Sequence, residues 1–316
     1  MKVFKYKNII NKNKVFFITP GIYENKGGML EYAKLWQSEM KKAPNNSIFC
    51  VPSNRYNDFK EFKISIYDPT NFKSISFIIA LIRFIIPKEL LVPIIFKKYK
   101  KIPVQEGDTI HITSAYLHSD LMIYFFLYSK RFRNVSVIYT LHDPIPHNDN
   151  KGNFLVDIIG RKYFSFLYNK AICKKNFYLH IHNQSIIPNF LHESNANIIV
   201  HPHPIGEKLA ERNRNDTAIR LGFMGQIHPY KGLDILLKSL LELSTFLEGN
   251  DVEILIAGSG KIEQIEVWKT LNLEVNIINE FISDESFHDI MANLDCLILP
   301  YKEATQTGVG AMAIAY

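Results

Sequence analysis

The sequence predicts an α/β protein of two doubly wound, mostly parallel domains, and three observations carry the prediction. Residues 1–204 alternate short apolar runs with longer apolar segments of helical period, the βα order that builds a parallel sheet. Residues 219–240, IRLGFMGQIHPYKGLDILLKSL, place a buried-type strand, a glycine turn and an amphipathic helix in direct succession. Between them, Pro202 and Pro204 precede a polar and charged stretch at 206–217 that reads as a linker. A chain of 316 residues, 47% hydrophobic and 22% charged, is long enough for two cores, so the expected domains are 1–204 and 205–316.

In the first domain, strands are expected at 15–19, 47–51, 63–67, 109–113, 135–141, 177–181 and 197–201, with helical segments such as 29–40 and 154–171 between them. Two of the loops that follow strands carry residues suited to a ligand. Residues 20–30, PGIYENKGGML, contain Gly27 and Gly28, a pair that permits a tight turn whose amides approach an acceptor or a diphosphate. Residues 141–150, LHDPIPHNDN, begin at a strand end and hold His142, Asp143 and His147. His182, His201 and His203 also stand at strand ends and read as packing or capping residues, since no metal spacing such as H-E-x-x-H occurs.

In the second domain the strand at 219–224 is followed by Gly225–Gly232, and Leu233, Leu236, Leu237, Leu240 and Leu241 share one helical face. A turn at the carboxyl end of a parallel strand is where open α/β sheets bind ligands. Backbone N–H groups and the positive end of the helix favour an anion there, and Lys231 adds a full charge. Two further strands are expected downstream. Residues 252–258, VEILIAG, run into Gly258-Ser259-Gly260, and residues 295–300, DCLILP, run into the hydroxyl-rich loop 301–308, YKEATQTG. Each of these loops is expected to open a helix.

In this order and spacing the three segments resemble the C-terminal domain of the retaining GT-B glycosyltransferases, family four, also called group 1. That family shows roughly F-x-G-R-x-x-x-x-K-G, then a strand ending in G-x-G, then a strand ending in P-S or P-Y before a donor-binding helix. The resemblance is strong over 219–316 and weak over the preceding two thirds. It implies two Rossmann-like domains facing a cleft, acceptor-binding at 1–204 and nucleotide-sugar-binding at 205–316. By the same resemblance Gly225, Gln226, Lys231, Gly258, Gly260, Glu303, Thr305, Gln306, Thr307 and Gly308 bind the donor, and Gly27 and Gly28 form an acceptor or diphosphate loop. His142 reaches the transferred sugar, Lys231 holds the leaving diphosphate and Glu303 binds a sugar hydroxyl, so these three are the implied catalytic residues. By the same resemblance the anomeric configuration would be retained, with the leaving phosphate taking the acceptor proton. No D-x-D motif is present, and no metal or other cofactor is expected beside the nucleotide-diphosphate sugar that serves as donor substrate.

Several positions depart from the family pattern. The usual arginine after the first glycine is Gln226, with His228 two residues on. The second carboxylate of an E-x7-E pair is missing, since Ala311 and Met312 stand where it belongs. Residues 300–309 instead resemble a subgroup form, P-Y-x-E-x-[ST]-Q-[ST]-G-V. The family continues past the position of Tyr316 with further βα units, so the second domain is expected to be incomplete.

Charge separates the halves. Residues 1–204 carry 28 Lys and Arg against 14 Asp and Glu, a net +14, and residues 205–316 carry 9 against 17, a net −8. A basic first half suits an anionic membrane surface or a lipid diphosphate. Nucleic acid is not expected, because no helix-turn-helix, zinc-finger or RNA-recognition signature accompanies the charge. The most apolar stretch, 75–96, is interrupted by Arg83, Pro87, Lys88 and Glu89 and ends at the lysine cluster 97–101, a pattern not for a span but for either an interfacial segment or a helix buried against the sheet with a solvated lysine tail. Cys50, Cys173 and Cys296 form no disulfide or zinc pattern, and residues 1–14 lack the apolar core of a secretion signal. A cytoplasmic location, peripheral at the inner face of the membrane, follows from these features. The expected activity is therefore hexose transfer to a lipid-linked or surface-polysaccharide acceptor. Other readings are a truncated, inactive nucleotide-sugar or partner-binding protein and a nucleotide-sugar epimerase of the same fold. An NAD oxidoreductase fits less well, because Gly260 is followed by Lys261-Ile262-Glu263 with no third glycine.

Overall fold

The computed structural model describes residues 2–10, 13–19, 28–41, 47–52, 57, 63–66, 99, 102–113, 119–142, 169–183, 195–205, 208, 210–302 and 307–316. Two compact units divide the chain, Met1–Pro204 and Ile205–Tyr316.

The first unit holds an eight-stranded sheet, wholly parallel, in the order β1-β8-β7-β6-β5-β2-β3-β4. Its strands are β1 (Lys2–Phe4), β2 (Val15–Ile18), β3 (Ser47–Pro52), β4 (Lys63–Ile66), β5 (Thr109–Ile112), β6 (Ser136–Thr140), β7 (Phe177–Ile181) and β8 (Asn197–Val200). Among its helices are α1 (Tyr6–Ile10), α2 (Gly28–Lys41) and α3 (Ser119–Tyr128). The continuous burial of β2 follows from its two-residue period. Phe16 and Ile18 enter the core built with Met122, Ile123, Phe125 and Phe126 of α3, while Val15 and Phe17 face Tyr32, Ala33, Trp36 and Met40 of α2. Phe17 stacks on Phe49 of β3, its register partner, at 4.8 Å between ring centroids.

All seven strands expected here form, with ends shifted by a residue or so. The sequence reading passed over β1 and α1. Phe4, Tyr6, Ile9 and Ile10 pack into the α2-side core between exposed polar neighbours, and β1 pairs with β8 at the sheet edge. The 154–171 helix is described only from Asn169, and the apolar stretch 75–96 lies outside the described residues, as do Lys97, Lys98, Lys100 and Lys101. Tyr99, within that lysine cluster, is buried against Phe126. No helix among the described residues is long and apolar enough to cross a membrane.

The second unit holds a parallel sheet in the order β11-β10-β9-β12, formed by β9 (Ile219–Met224), β10 (Val252–Ala257), β11 (Glu274–Ile278) and β12 (Cys296–Leu297). Helix α4 (Leu233–Leu247) covers one face through Leu233, Leu236, Leu237 and Leu240 packed on Phe223, Ile254 and Ile256. The short α5 (Ile265–Trp268) adds Trp268 to that core. Helices α6 (Asp284–Asn293) and α7 (Gly308–Ala313) contribute Met291 and Val309 to the cluster on the other face, with Met224 and Ala257 of the sheet.

Three expectations need correction. The strand at 295–300 narrows to two paired residues, because after the bond from Ile298 N to Gly222 O the chain leaves the sheet. The 206–217 stretch is no free linker over its described end. Arg214 bonds to Asp216, to Asp295 and to the Ala218 carbonyl, and Asn213 N bonds to Asn293 Oδ1, which straps the segment onto the second unit. Gly258-Ser259-Gly260 does not open a helix directly. Ile227 N donates to Ser259 O and Gly260 N to Asn279 Oδ1, so the chain stays paired and turns helical only at Ile265.

Candidate functional site

The site of the second unit is built where the loops after β9, β10 and β12 converge. Gly258 lies so close to Gly225 that a Cβ on it would overlap the Gly225 carbonyl, and no other residue type fits that approach. Gly232 has φ +71° and caps the amino end of α4 with its Cα against the carbonyl of Pro300. Between Gly225 and Gly232, Pro229–Lys231 form one 3-10 turn, with Lys231 N bonded to His228 O. Lys302 N closes the third loop onto Tyr230 O at 2.8 Å.

That framework buries the Lys231 side chain. Its Nζ stands 3.1 Å from the position a Cβ of Gly225 would take and 5.3 Å from the centroid of the Tyr301 ring. Among the described residues no carboxylate lies within ion-pair distance of it. Desolvation pushes its pKa below the usual lysine value, the expected effect of a cation removed from water. The neighbouring Lys302 takes a different course, pairing with Asp234 at 2.7 Å, and that hydrogen bond holds the Asp234 carboxyl below its ordinary range.

The structure thus brings Gly225, Lys231, Gly258 and Gly260 together, with Gln226 exposed at the lip of the turn. Thr307 caps α7, its Oγ1 accepting from Gly310 N at 3.4 Å and lying 3.5 Å from the Tyr301 hydroxyl, and Gly308 is the first helical residue. Glu303, Thr305 and Gln306 lie outside the described residues. Tyr301 was not anticipated as a site residue. Its only sequence signal is its place directly after Pro300, seventy positions from Lys231.

In the first unit, His142 follows β6 and its Nε2–H donates to Thr113 O at 2.7 Å. Gly28 opens α2, while Gly27, Asp143 and His147 lie outside the described residues. One turn into α2, Tyr32 sets its ring edge-on to His142, His182 and His203 at centroid distances of 4.7, 5.5 and 5.0 Å. His182 and His203, read from the sequence as packing residues, therefore share a layer with the candidate His142. The alternating H-x-H at 180–182 and 201–203 was the available signal, since a period of two puts both members on one sheet face. Among the described residues no three His, Cys, Asp or Glu side chains are grouped to hold a metal ion.

No family model and no curated protein matches the sequence. Solved structures do match. The E. coli trehalose-6-phosphate structure bound with UDP-2-fluoro glucose superposes with a TM-score of 0.56 at 12% identity, over 96% of this chain and 81% of that one. The catalytic domain of starch synthase IV from Arabidopsis thaliana, bound to ADP and acarbose, gives 0.55 at 10% identity over the same shares. TarM overlaps 67% of this chain but 40% of its own, with a TM-score of 0.45 at 13% identity. At these identities the likeness is one of fold. The chain has the GT-B-like fold of glycosyltransferases, two parallel α/β units matched over 96% of its length.

Proposed function

We propose that this protein is a glycosyltransferase that moves a hexose from a nucleotide-diphosphate sugar to a lipid-linked or surface-polysaccharide acceptor, with retention and without a metal ion. Lys231 carries the reading. A buried ammonium with no carboxylate partner among the described residues, set under a glycine turn at the carboxyl edge of a parallel sheet, is a site whose burial cost an anion offsets. The bound UDP-2-fluoro glucose and ADP of the two fold relatives are ligands of the corresponding class.

Breaking the bond from the anomeric carbon to the donor phosphate gathers negative charge on the diphosphate. Lys231 stabilises that charge from a fixed position, with no reorganisation at the moment of transfer. The acceptor hydroxyl oxygen bonds to the anomeric carbon and its proton passes to the departing phosphate oxygen. His142 stands at a strand end of the first unit, where it is proposed to meet the transferred sugar, and Gly27–Gly28 and Glu303 keep the roles the family resemblance implies. The +14 net charge of residues 1–204 favours an acceptor carried on an anionic surface at the inner face of the membrane.

The test is a thermal-shift panel of UDP-, GDP- and ADP-sugars with a chelator present throughout, run on the wild type and on Lys231→Ala. One donor class should raise the wild-type midpoint by mass action. The variant should lose that shift and, with an acceptor, about 3 kcal/mol of transition-state stabilisation. A correctly folded variant with unchanged donor response and turnover would refute the assignment.

A further inference from the structure

The α2-side face of the eight-stranded sheet carries hydrogen bonds whose direction can be assigned. A carbonyl oxygen only accepts, so the two imidazoles on His201 O, through His180 Nε2 at 3.3 Å and His182 Nδ1 at 3.1 Å, each carry their proton there. His180 Nδ1 is then an acceptor and receives the Thr140 hydroxyl at 2.9 Å. Thr140 Oγ1 in turn accepts from His111 Nε2 at 2.8 Å, and His111 Nδ1 accepts the Tyr6 hydroxyl at 2.8 Å. In the upper layer His182 Nε2 is the acceptor and takes the Tyr32 hydroxyl at 2.9 Å. His142 donates from Nε2 to Thr113 O at 2.7 Å.

Two contacts with described residues bear most directly on that ring, beside the His182 ring at 5.8 Å. The Thr113 carbonyl selects the tautomer, and the edge of Tyr32 sets the ring plane, at 76° between planes. Tyr32 is itself held: it is buried, its hydroxyl is engaged by His182, and burial keeps that hydroxyl protonated and therefore a donor. Phe17 and Trp36, further along the same face, hold no comparable contact to His142.

We propose that Tyr32 is a positioning residue for transfer, fixing the orientation of His142 through its ring while its hydroxyl anchors to His182. The assignment rests on the glycosyltransferase reading. It makes the short α2 segment after Gly28 part of the machinery that presents His142 to the sugar, although Tyr32 itself touches no substrate.

Two readouts test it. Long-range 1H–15N NMR of the imidazoles should show His142 as the Nε2–H tautomer in wild type and in Tyr32→Phe; in Tyr32→Leu the ring, no longer held in the plane that reaches Thr113 O, should lose that bond and populate both tautomers. In transfer assays Tyr32→Leu should lower kcat about tenfold with the donor KM unchanged. Tyr32→Phe should recover most of that loss, and Tyr32→Leu combined with His142→Ala should be no slower than His142→Ala alone. An unchanged His142 tautomer in Tyr32→Leu, or additive losses in the double variant, would overturn the positioning role. A wild type without turnover on any donor would instead refute the glycosyltransferase reading, and the NMR result would still decide whether Tyr32 orients His142.

Discussion

At the carboxyl edge of the four-stranded sheet the loops meet backbone to backbone, with Gly258 against the Gly225 carbonyl, Gly232 against Pro300 and the buried Lys231 among them. At the carboxyl edge of the eight-stranded sheet the contacts are between side chains, a connected set of imidazoles, hydroxyls and Tyr32. The first edge obtains its rigidity from steric exclusion, which is indifferent to pH and intolerant of a single added carbon. The second obtains it from directed hydrogen bonds among neutral rings, which tolerate changes of volume but not of protonation.

Acid should separate the two units most widely. Burial first, then repulsion from His203 and His142, lowers His182 to a pKa of about 3, and burial with neighbouring imidazoles holds His111 and His180 well below the usual histidine range. Each of these rings is neutral when folded and takes up a proton on unfolding once the pH is below about 6.5. Their contribution is complete above that value and is lost as the pH falls, for His182 over the window from about 6.5 to about 3. The slope is about 1.4 kcal/mol per pH unit for each ring, so moving from pH 7 to pH 5 costs the first unit about 2 kcal/mol per histidine. The chain's two tryptophans, Trp36 in the first core and Trp268 in the second, allow the units to be followed separately in Trp→Phe variants. Equal acid sensitivity at both tryptophans would erase the proposed contrast.

The converse perturbation is Gly258→Ala. The added Cβ meets a backbone oxygen that cannot move without shifting the Gly225 turn, so about 3 kcal/mol of stability should be lost from the second unit, independent of pH. Trp268 fluorescence in urea measures it, and Trp36 should report little change. A loss below about 1 kcal/mol would mean that the two loops are not locked together as described.

The same contrast explains what was legible in the sequence. Gly225, Lys231 and Gly232 stand within eight residues and between a strand and a helix, so local spacing was enough to place them in one turn. The layer around Tyr32 joins positions 32, 142, 182 and 203, and the chain below it joins Tyr6 to His111 across 105 residues. No local pattern encodes such distances; only the order of the strands in the sheet does. Strand β1 escaped notice for a related reason. Among the described residues its three residues pair with β8 alone, nearly two hundred positions away, and their lysine-rich neighbourhood hides the periodic Phe4, Tyr6, Ile9 and Ile10. The four-residue helix α5 also carried too little periodicity to be read.

The smallest expected effect concerns Thr307, a polar side chain of the glycine-built edge whose oxygen already caps a helix. Thr307 Oγ1 accepts from Gly310 N to cap α7, as Ser283 Oγ accepts from Ser286 N to cap α6. Loss of either cap should cost about 1 kcal/mol, so Thr307→Ala and Ser283→Ala should unfold with similar shifts. A capping oxygen still has its own proton; on the proposed function that O–H, 3.5 Å from the Tyr301 hydroxyl, would turn to a phosphate oxygen of the donor. Thr307→Ala should then weaken nucleotide-sugar binding while Ser283→Ala leaves it unchanged, and Thr307→Ser, which keeps both the cap and the proton, should restore stability and affinity together. If Thr307→Ala loses only stability and binds the donor as Ser283→Ala does, capping is the whole role of Thr307. The second unit would then hold the diphosphate through Lys231 and backbone amides without that hydroxyl, and the contrast with the side-chain-built edge of the first unit would be sharper still.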